Sequence, residues 1–312
     1  QGVNKRGGGL SLKGITEKDK KDLVAATKLD IDYIAVSFVK DANDIRVVKK
    51  IIGKKQIGII AKIERSEAID NIDEIAKISD GLLVARGDLG VEIGIEQLPA
   101  VQDMLIRKAI SFDKIVIVAT QMMESMIDSL TPTRAEVNDV ANSVMDGADA
   151  VMLSGETSVG QYPVQVIQKM SDIIKSVENS ELINVPQKHP HIKTKRYITK
   201  SICYHAAHMA NQINARGITT LTNSGYTAFQ ISAWRPKAHI LVYSSNKRII
   251  PQLNLLWGVR AFYYDKFVST DETLEDVNKM AVEKGYLEPE DMVISLAAMP
   301  PVSYTHLRAH ET

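Results

Sequence analysis

Cysteine is all but missing, with Cys203 standing alone among 312 residues. A lone thiol excludes an internal disulfide and any multi-cysteine metal site, and it reads as a small core residue on a helix. Net charge is missing as well, because 38 basic side chains balance 38 acidic ones. That balance argues against a nucleic-acid or membrane-surface partner. No apolar run approaches the roughly 18 residues that a membrane span needs, and the opening QGVNKRGGG has no signal-peptide core. The expected setting is cytoplasmic. His205 and His208 share a helix face but have no carboxylate close to them in sequence, so both read as structural. What is present, 45% hydrophobic and 24% charged residues, describes a soluble globular chain long enough for about two domains.

The first 180 residues alternate short apolar runs with amphipathic stretches. YIAVSFV (33–39), IGIIAKI (57–63), GLLVARG (81–87), KIVIVAT (114–120) and DAVMLSG (149–155) read as strands. Between them, DANDIRVVKKII, AIDNIDEIAKIS, PAVQDMLIRKAI and TRAEVNDVANSVMDG read as helices. Unbroken β-branched runs alternating with helices mean a parallel sheet covered by helices. The repeat suits a βα barrel, whose active site lies at the C-terminal ends of the strands. Polar residues stand at four of those ends in succession: Lys62 and Glu64, then Arg86, Gly87 and Asp88, then Thr120 and Gln121, then Ser154, Gly155 and Glu156.

Lys62 and Glu64 are two apart, so on an extended chain both side chains leave the same face. Such a pair is either an ordinary polar strand end or a fixed cation beside a carboxylate. Glu64 and Asp88 are hard oxygen donors on adjacent strands, suited to one divalent ion with water or substrate oxygens at its other positions, which is magnesium's habit. Gly87 would let the backbone amides of GDLG approach an anion, although GDLG also fits a plain turn. Lys62 would supply positive charge to an anionic transition state. Thr120 brings a hydroxyl to the same rim. Ser154 with Glu156 reads either as a short proton relay or as a helix N-cap.

IIAKIE, LLVARGDLGVEI, VIVATQMMESMI and PTRAEVNDVANSVMDGADAVMLSGETSVGQYP, in this order and spacing, resemble the pyruvate kinase family, and the resemblance runs from Gly2 to about Met299. It implies transfer of a phosphoryl group from phosphoenolpyruvate to ADP, giving ATP and enolpyruvate, which is protonated to pyruvate. Carried over by position, it implies that Lys62 steadies the transferring phosphoryl and the enolate. Glu64 and Asp88 hold Mg2+ or Mn2+. The amides of Gly87 and Asp88 with Thr120 take the substrate carboxylate, and Ser154 and Glu156 join a proton-relay network. Arg134 matches a residue that joins subunits of a tetramer. The fold implied for residues 1–180 is a partial (β/α)8 barrel, the distal five strands, preceded in the family by three strands and a lid that carry the potassium ligands and a substrate-clamping arginine. On that expectation the chain alone is inactive.

Past Ser180, ELINVPQKHPHIKTKR lacks apolar periodicity, and residues 181–196 read as a linker. Residues 197–302 then read as a smaller doubly wound α/β domain, with a helix over about 197–215 and strands near GITTLT, HILVYSS, VRAFYY and DMVISLAAM. In LTNSGYTAF, Thr222, Ser224 and Thr227 stand at a strand-to-helix junction that is either a phosphate nest or an N-cap. The resemblance makes this loop the cradle of a sugar-phosphate effector, with Asn223 where several effector-responsive members have a basic residue. Residues 303–312 resemble a non-native tail. Two other functions fit parts of the pattern: another magnesium-dependent, enolate-forming barrel enzyme, and a phosphometabolite-binding module.

Overall fold

The computed structural model describes residues 15–180, 183, 196–266 and 268–296. The chain divides into two compact units, Gln1–Pro186 with Leu255–Trp257, and Gln187–Asn254 with Gly258–Thr312. Apart from Ile183 and Arg196, the expected linker 181–196 lies outside the described residues, as do the first fourteen residues and the tail 303–312.

The first unit is built on five strands, β1 (Tyr33–Val36), β2 (Gly58–Ile63), β3 (Gly81–Ala85), β4 (Ile115–Ala119) and β5 (Ala150–Met152). They pair in chain order and all in parallel. Every strand expected from the apolar runs forms; β2 ends with its run at Ile63, and the other four end one to three residues before theirs. Among the residues left beyond the strand ends are the polar Ser37, Arg86, Thr120 and Ser154. The sheet is not closed among the described residues, so β1 and β5 are its edges.

Strand periodicity sorts the side chains. Ile59, Ala61 and Ile63 of β2, Leu82 and Val84 of β3, and Val116 and Val118 of β4 join one core with Ile45, Val48, Ile75, Leu105 and Ile106 of the covering helices. The intervening Ile60, Leu83 and Ile117 point to the opposite face, where they remain buried at 4%, 4% and 8% exposure. Lys62 and Glu64 continue that second row.

Three helices of this unit start where a side chain satisfies their free amides. Thr16 caps Glu17–Ala26 and Thr133 caps Arg134–Met145, each in a reciprocal box with Asp19 or Glu136. Asp41 caps Ala42–Ile52 by accepting from the amides of Asn43 and Asp44. AIDNIDEIAKIS forms two short helices, Ser66–Asp70 and Ile72–Ile78, broken at Asn71. Its Nδ2 donates to the carbonyls of Lys40 and Glu67, a local alternative to continuing the helix. At the N-terminal ends of the strands, Asp80 accepts from Ile59 N–H at 2.8 Å and Asp149 from Val116 N–H at 2.9 Å. These aspartates tie each strand to its neighbour at the end away from the polar cluster, a structural task.

The second unit has four parallel strands, β6 (Gly217–Leu221), β7 (His239–Ser244), β8 (Val259–Tyr263) and β9 (Val293–Leu296), in the order β8-β7-β6-β9. The chain runs outward from β6 to β8 and then returns to the other side of β6, which is the doubly wound arrangement. The helix Thr270–Glu283 covers one face, where the Tyr243 hydroxyl donates to the Val277 carbonyl at 2.8 Å. Helices Tyr197–Gln212 and Tyr226–Ser232 pack on β6 and β7. Cys203 is fully buried on the first of these, and burial pushes its thiol up to about 12. Among the described residues no helix is long and apolar enough to cross a membrane.

Candidate active site

Four strand ends in parallel register place their trailing residues along one rim. At the end of β2, Lys62 Nζ lies 2.7 Å from Glu64 Oε1, so the shared face expected from their spacing is occupied as an ion pair. Glu64 is 2% exposed and Lys62 26%, so the carboxylate is buried while the ammonium reaches the rim. A buried carboxylate needs donors for both oxygens. The second comes from the end of β1, where the amide of Phe38 donates to Glu64 Oε2 at 2.6 Å. The neighbouring Ser37 Oγ accepts from Lys62 Nζ at 3.1 Å.

At the end of β3 the chain turns directly into the helix Arg86–Ile93, with no side-chain cap on its first amides. Asp88 lies in that first turn, where the helix dipole favours a carboxylate. Gly87 N–H donates to Thr120 Oγ1 at 2.8 Å, which brings the ends of β3 and β4 together. The same hydroxyl donates to the Ala119 carbonyl at 2.6 Å. A Cβ built on Gly87 would meet only Thr120, at 3.5 Å from its Oγ1. That is ordinary contact, so the protein's own packing does not demand glycine there.

Thr120 and Gln121 have φ of 71° and 54°, left-handed values that are costly for a β-branched residue. Arg86 holds them there. Its Nη2 donates to the carbonyls of Thr120 and Gln121 at 2.7 and 3.1 Å, its Nε to Thr120 at 3.2 Å, and its Nη1 to Asp139 Oδ2 at 2.6 Å. With 7% exposure, this guanidinium is a fork buried beneath the rim.

At the end of β5 the geometry departs from a hydroxyl–carboxylate relay. Glu156, 2% exposed, accepts from the Ser154 amide at 2.7 Å through Oε2 and from the Met123 amide at 3.2 Å through Oε1. The exposed Ser154 hydroxyl donates to neither oxygen, so Glu156 here ties the β5 end to the loop after β4. The structure thus brings Lys62 to Glu64 and Gly87 to Thr120, and sets Glu156 against the backbone of Ser154. Sequence reasoning missed Ser37, the Phe38 amide and the Arg86–Asp139 pair. Ser37 carried a signal, since it follows the last residue of β1 directly, as Arg86 and Thr120 follow β3 and β4.

Glu64 and Asp88 are the two carboxylates that the sequence reading assigns to a divalent ion, Glu64 directly after β2 and Asp88 in the first turn after β3. Among the described residues no group of three or more His, Cys, Asp or Glu side chains gathers around a metal position. Two hard carboxylates on neighbouring strand ends fit magnesium, which keeps several ligand positions for water and substrate oxygens.

In the second unit Thr222, Asn223 and Ser224 lie on the loop after β6, and Thr227 in the first turn of the helix Tyr226–Ser232 that follows, beside the point where the strand order reverses. Thr222 Oγ1 accepts from Gly225 N–H at 3.0 Å, and Asn246 Nδ2 donates to the Asn223 carbonyl at 3.3 Å. Gly225 has φ 79°, and a Cβ there would come 2.8 Å from Leu253 Cδ2, so this turn does require glycine. Asn223 and Ser224 are exposed. The His208 ring packs 4.1 Å from Tyr204 and 6.1 Å from Trp234, centroid to centroid.

A family model described as "Pyruvate kinase, barrel domain" matches residues 1–167, and one described as "Pyruvate kinase, alpha/beta domain" matches residues 200–306. The chain is similar to the pyruvate kinase of Clostridium acetobutylicum, 38% identical over 307 residues, covering 96% of this chain and 64% of that protein. Similarity to the pyruvate kinase of Geobacillus stearothermophilus is 41% over 307 residues, 96% of this chain and 52% of that one. For the pyruvate kinase of Buchnera aphidicola subsp. Acyrthosiphon pisum the figures are 43% over 304 residues, 94% and 62%. The chain therefore spans between about half and two-thirds of the length of these curated relatives.

Proposed function

The chain belongs to the pyruvate kinase family, and from that premise we propose that the complete protein transfers the phosphoryl group of phosphoenolpyruvate to ADP, yielding ATP and, after protonation of the enolate, pyruvate. The observation that carries this reading is the Lys62–Glu64 pair at the end of β2, facing a rim where Gly87 and Thr120 already meet.

Each residue then has a task. Lys62 sets a positive charge against the phosphoryl and the developing enolate, where a preorganised charge acts in a partly desolvated site. The Gly87 and Asp88 amides and the Thr120 hydroxyl receive the substrate carboxylate; the Gly87 amide exchanges its Thr120 partner for a carboxylate oxygen. Glu64 and Asp88 would hold Mg2+ or Mn2+, which supplies Lewis-acid charge to substrate oxygens. Glu156 keeps the β5 loop against the β4 loop and leaves the exposed Ser154 hydroxyl to pass a proton. Potassium, a cytoplasmic setting, a tetramer that uses Arg134 and a sugar-phosphate effector at Thr222, Asn223, Ser224 and Thr227 complete the reading by family analogy.

The test uses the protein completed to the length of its relatives. Magnesium-dependent ATP formation from phosphoenolpyruvate and ADP is expected, with Lys62→Met lowering turnover by roughly a hundred- to a thousandfold. Turnover within tenfold of the parent would remove Lys62 from the chemistry.

A further inference from the structure

The end of β1 touches both members of the Lys62–Glu64 pair. Ser37 Oγ accepts from Lys62 Nζ at 3.1 Å, and the next residue's amide, Phe38 N–H, donates to Glu64 Oε2 at 2.6 Å. That leaves Oε1 as the oxygen facing the ammonium, at 2.7 Å. Phe38 adopts φ 53°, a value that non-glycine residues rarely take, while the residue stays 41% exposed. The left-handed backbone is thus not explained by burying an aromatic side chain. It delivers an amide and a hydroxyl to neighbouring points of one ion pair, and backbone strain of this kind concentrates at working sites.

We propose that Ser37 is a positioning residue for Lys62, an inference that rests on the phosphoryl-transfer reading above. An ammonium carries three N–H donors on a flexible stem of four carbons. One is directed to Glu64 and one to Ser37, which leaves the third for substrate. Because the hydroxyl is neutral, it fixes the direction of the ammonium without cancelling its charge, whereas Glu64, whose Oε1 already lies 2.7 Å from Nζ, would otherwise set that direction alone. Loss of the Ser37 hydroxyl therefore has two consequences. The charge turns away from the phosphoryl, and the ammonium occupies carboxylate oxygens that a divalent ion would otherwise use.

The experiment compares the parent, Lys62→Met, Ser37→Ala and Ser37→Thr in the protein completed to the length of its relatives. Turnover and KM for phosphoenolpyruvate are measured, and Mn2+ binding is followed separately by electron paramagnetic resonance. Ser37→Ala is expected to lower kcat by roughly ten- to a hundredfold, as expected for losing one hydrogen bond to a charged group. Its KM should move less than threefold and its Mn2+ affinity should weaken, while Ser37→Thr recovers most of the kcat. The inference is overturned if Ser37→Ala stays within threefold of the parent in kcat. It is equally overturned if Ser37→Thr is as impaired as Ser37→Ala and both melt lower, since that pattern belongs to a structural hydroxyl. A parent without phosphoryl transfer, or a Lys62→Met variant as active as the parent, overturns the underlying reading and this inference with it; an inactive Lys62→Met beside a fully active Ser37→Ala removes the inference alone.

Discussion

Gly87 separates what packing requires from what a ligand requires. A glycine in the first turn of a helix is less stable there than alanine by roughly 0.5–1 kcal/mol. A Cβ at this position meets Thr120 at ordinary contact distance, and φ is not left-handed. Nothing in the fold therefore opposes Gly87→Ala, and its expected effect on the melting temperature is nil or slightly positive. Function should respond differently, because the added methyl stands beside the amide and hydroxyl assigned to the substrate carboxylate. We expect KM for phosphoenolpyruvate to rise at least about tenfold, equivalent to about 1.4 kcal/mol. Steady-state kinetics beside a thermal melt decides it; an unchanged KM would mean that the substrate does not approach this turn. Gly225 is the contrasting case, where a positive φ and the nearby Leu253 would strain any side chain.

At the scale of the element, the helix Arg134–Met145 does more than cover the sheet. Its capping partner Glu136 accepts from the Thr133 amide at 2.7 Å and also from the Ser125 amide at 2.7 Å, so one carboxylate joins a helix start to the short 3-10 helix Glu124–Ile127. Hydrogen bonds from Ser125 and Thr133 outweigh burial and hold its carboxyl below the usual carboxylate range. Thr133→Ala removes the side-chain acceptor for the Glu136 amide and should cost about 1 kcal/mol. The measurement is the urea midpoint, expected to fall at unchanged slope. Further along the same helix, Asp139 grips Arg86, which keeps Thr120 and Gln121 in their left-handed conformation. The helix thereby carries order from its cap to the rim, by contacts between residues that stand 53 and 34 positions apart in the chain.

For the whole molecule, two consequences follow from the way each unit is assembled. In the second unit, burial first and then His205 push the His208 imidazole below its ordinary value of 6.5, and burial with Arg216 and Arg260 does the same to His239. The unfolded chain consequently takes up protons before the folded one as pH falls. The stability contributed by these neutral rings is fully present above about 6.5 and is lost as pH drops below it. The melting transition of this unit should therefore move down between pH 7.5 and 5.5, and the double variant His208→Gln, His239→Gln should flatten that change. An equally steep dependence in the double variant would assign it to other groups. In the first unit, β1 and β5 are open edges among the described residues, and unpaired parallel edges invite association with other chains. The chain expressed as it stands is expected to self-associate and to form no ATP from phosphoenolpyruvate and ADP above background. Recovery of a soluble, active species in size-exclusion and coupled-assay measurements would contradict that.

What the sequence determined by itself was everything carried by short-range periodicity. Unbroken apolar runs of five or so residues alternating with helical patterns specify a parallel, helix-covered sheet, and the spacing of two between Lys62 and Glu64 puts both on one face of β2, because strand side chains alternate. Tertiary structure alone decided how the side chains spend their hydrogen bonds. Ser37 meets Lys62 across 25 residues, Gly87 meets Thr120 across 33, and Glu156 reaches Met123 across 33. Strand register sets those separations, and no local pattern encodes them. The same cause turned Glu156 from the Ser154 hydroxyl to backbone amides: a carboxylate buried at a strand end takes the nearest donors that cannot find water, and only the folded sheet determines which donors those are.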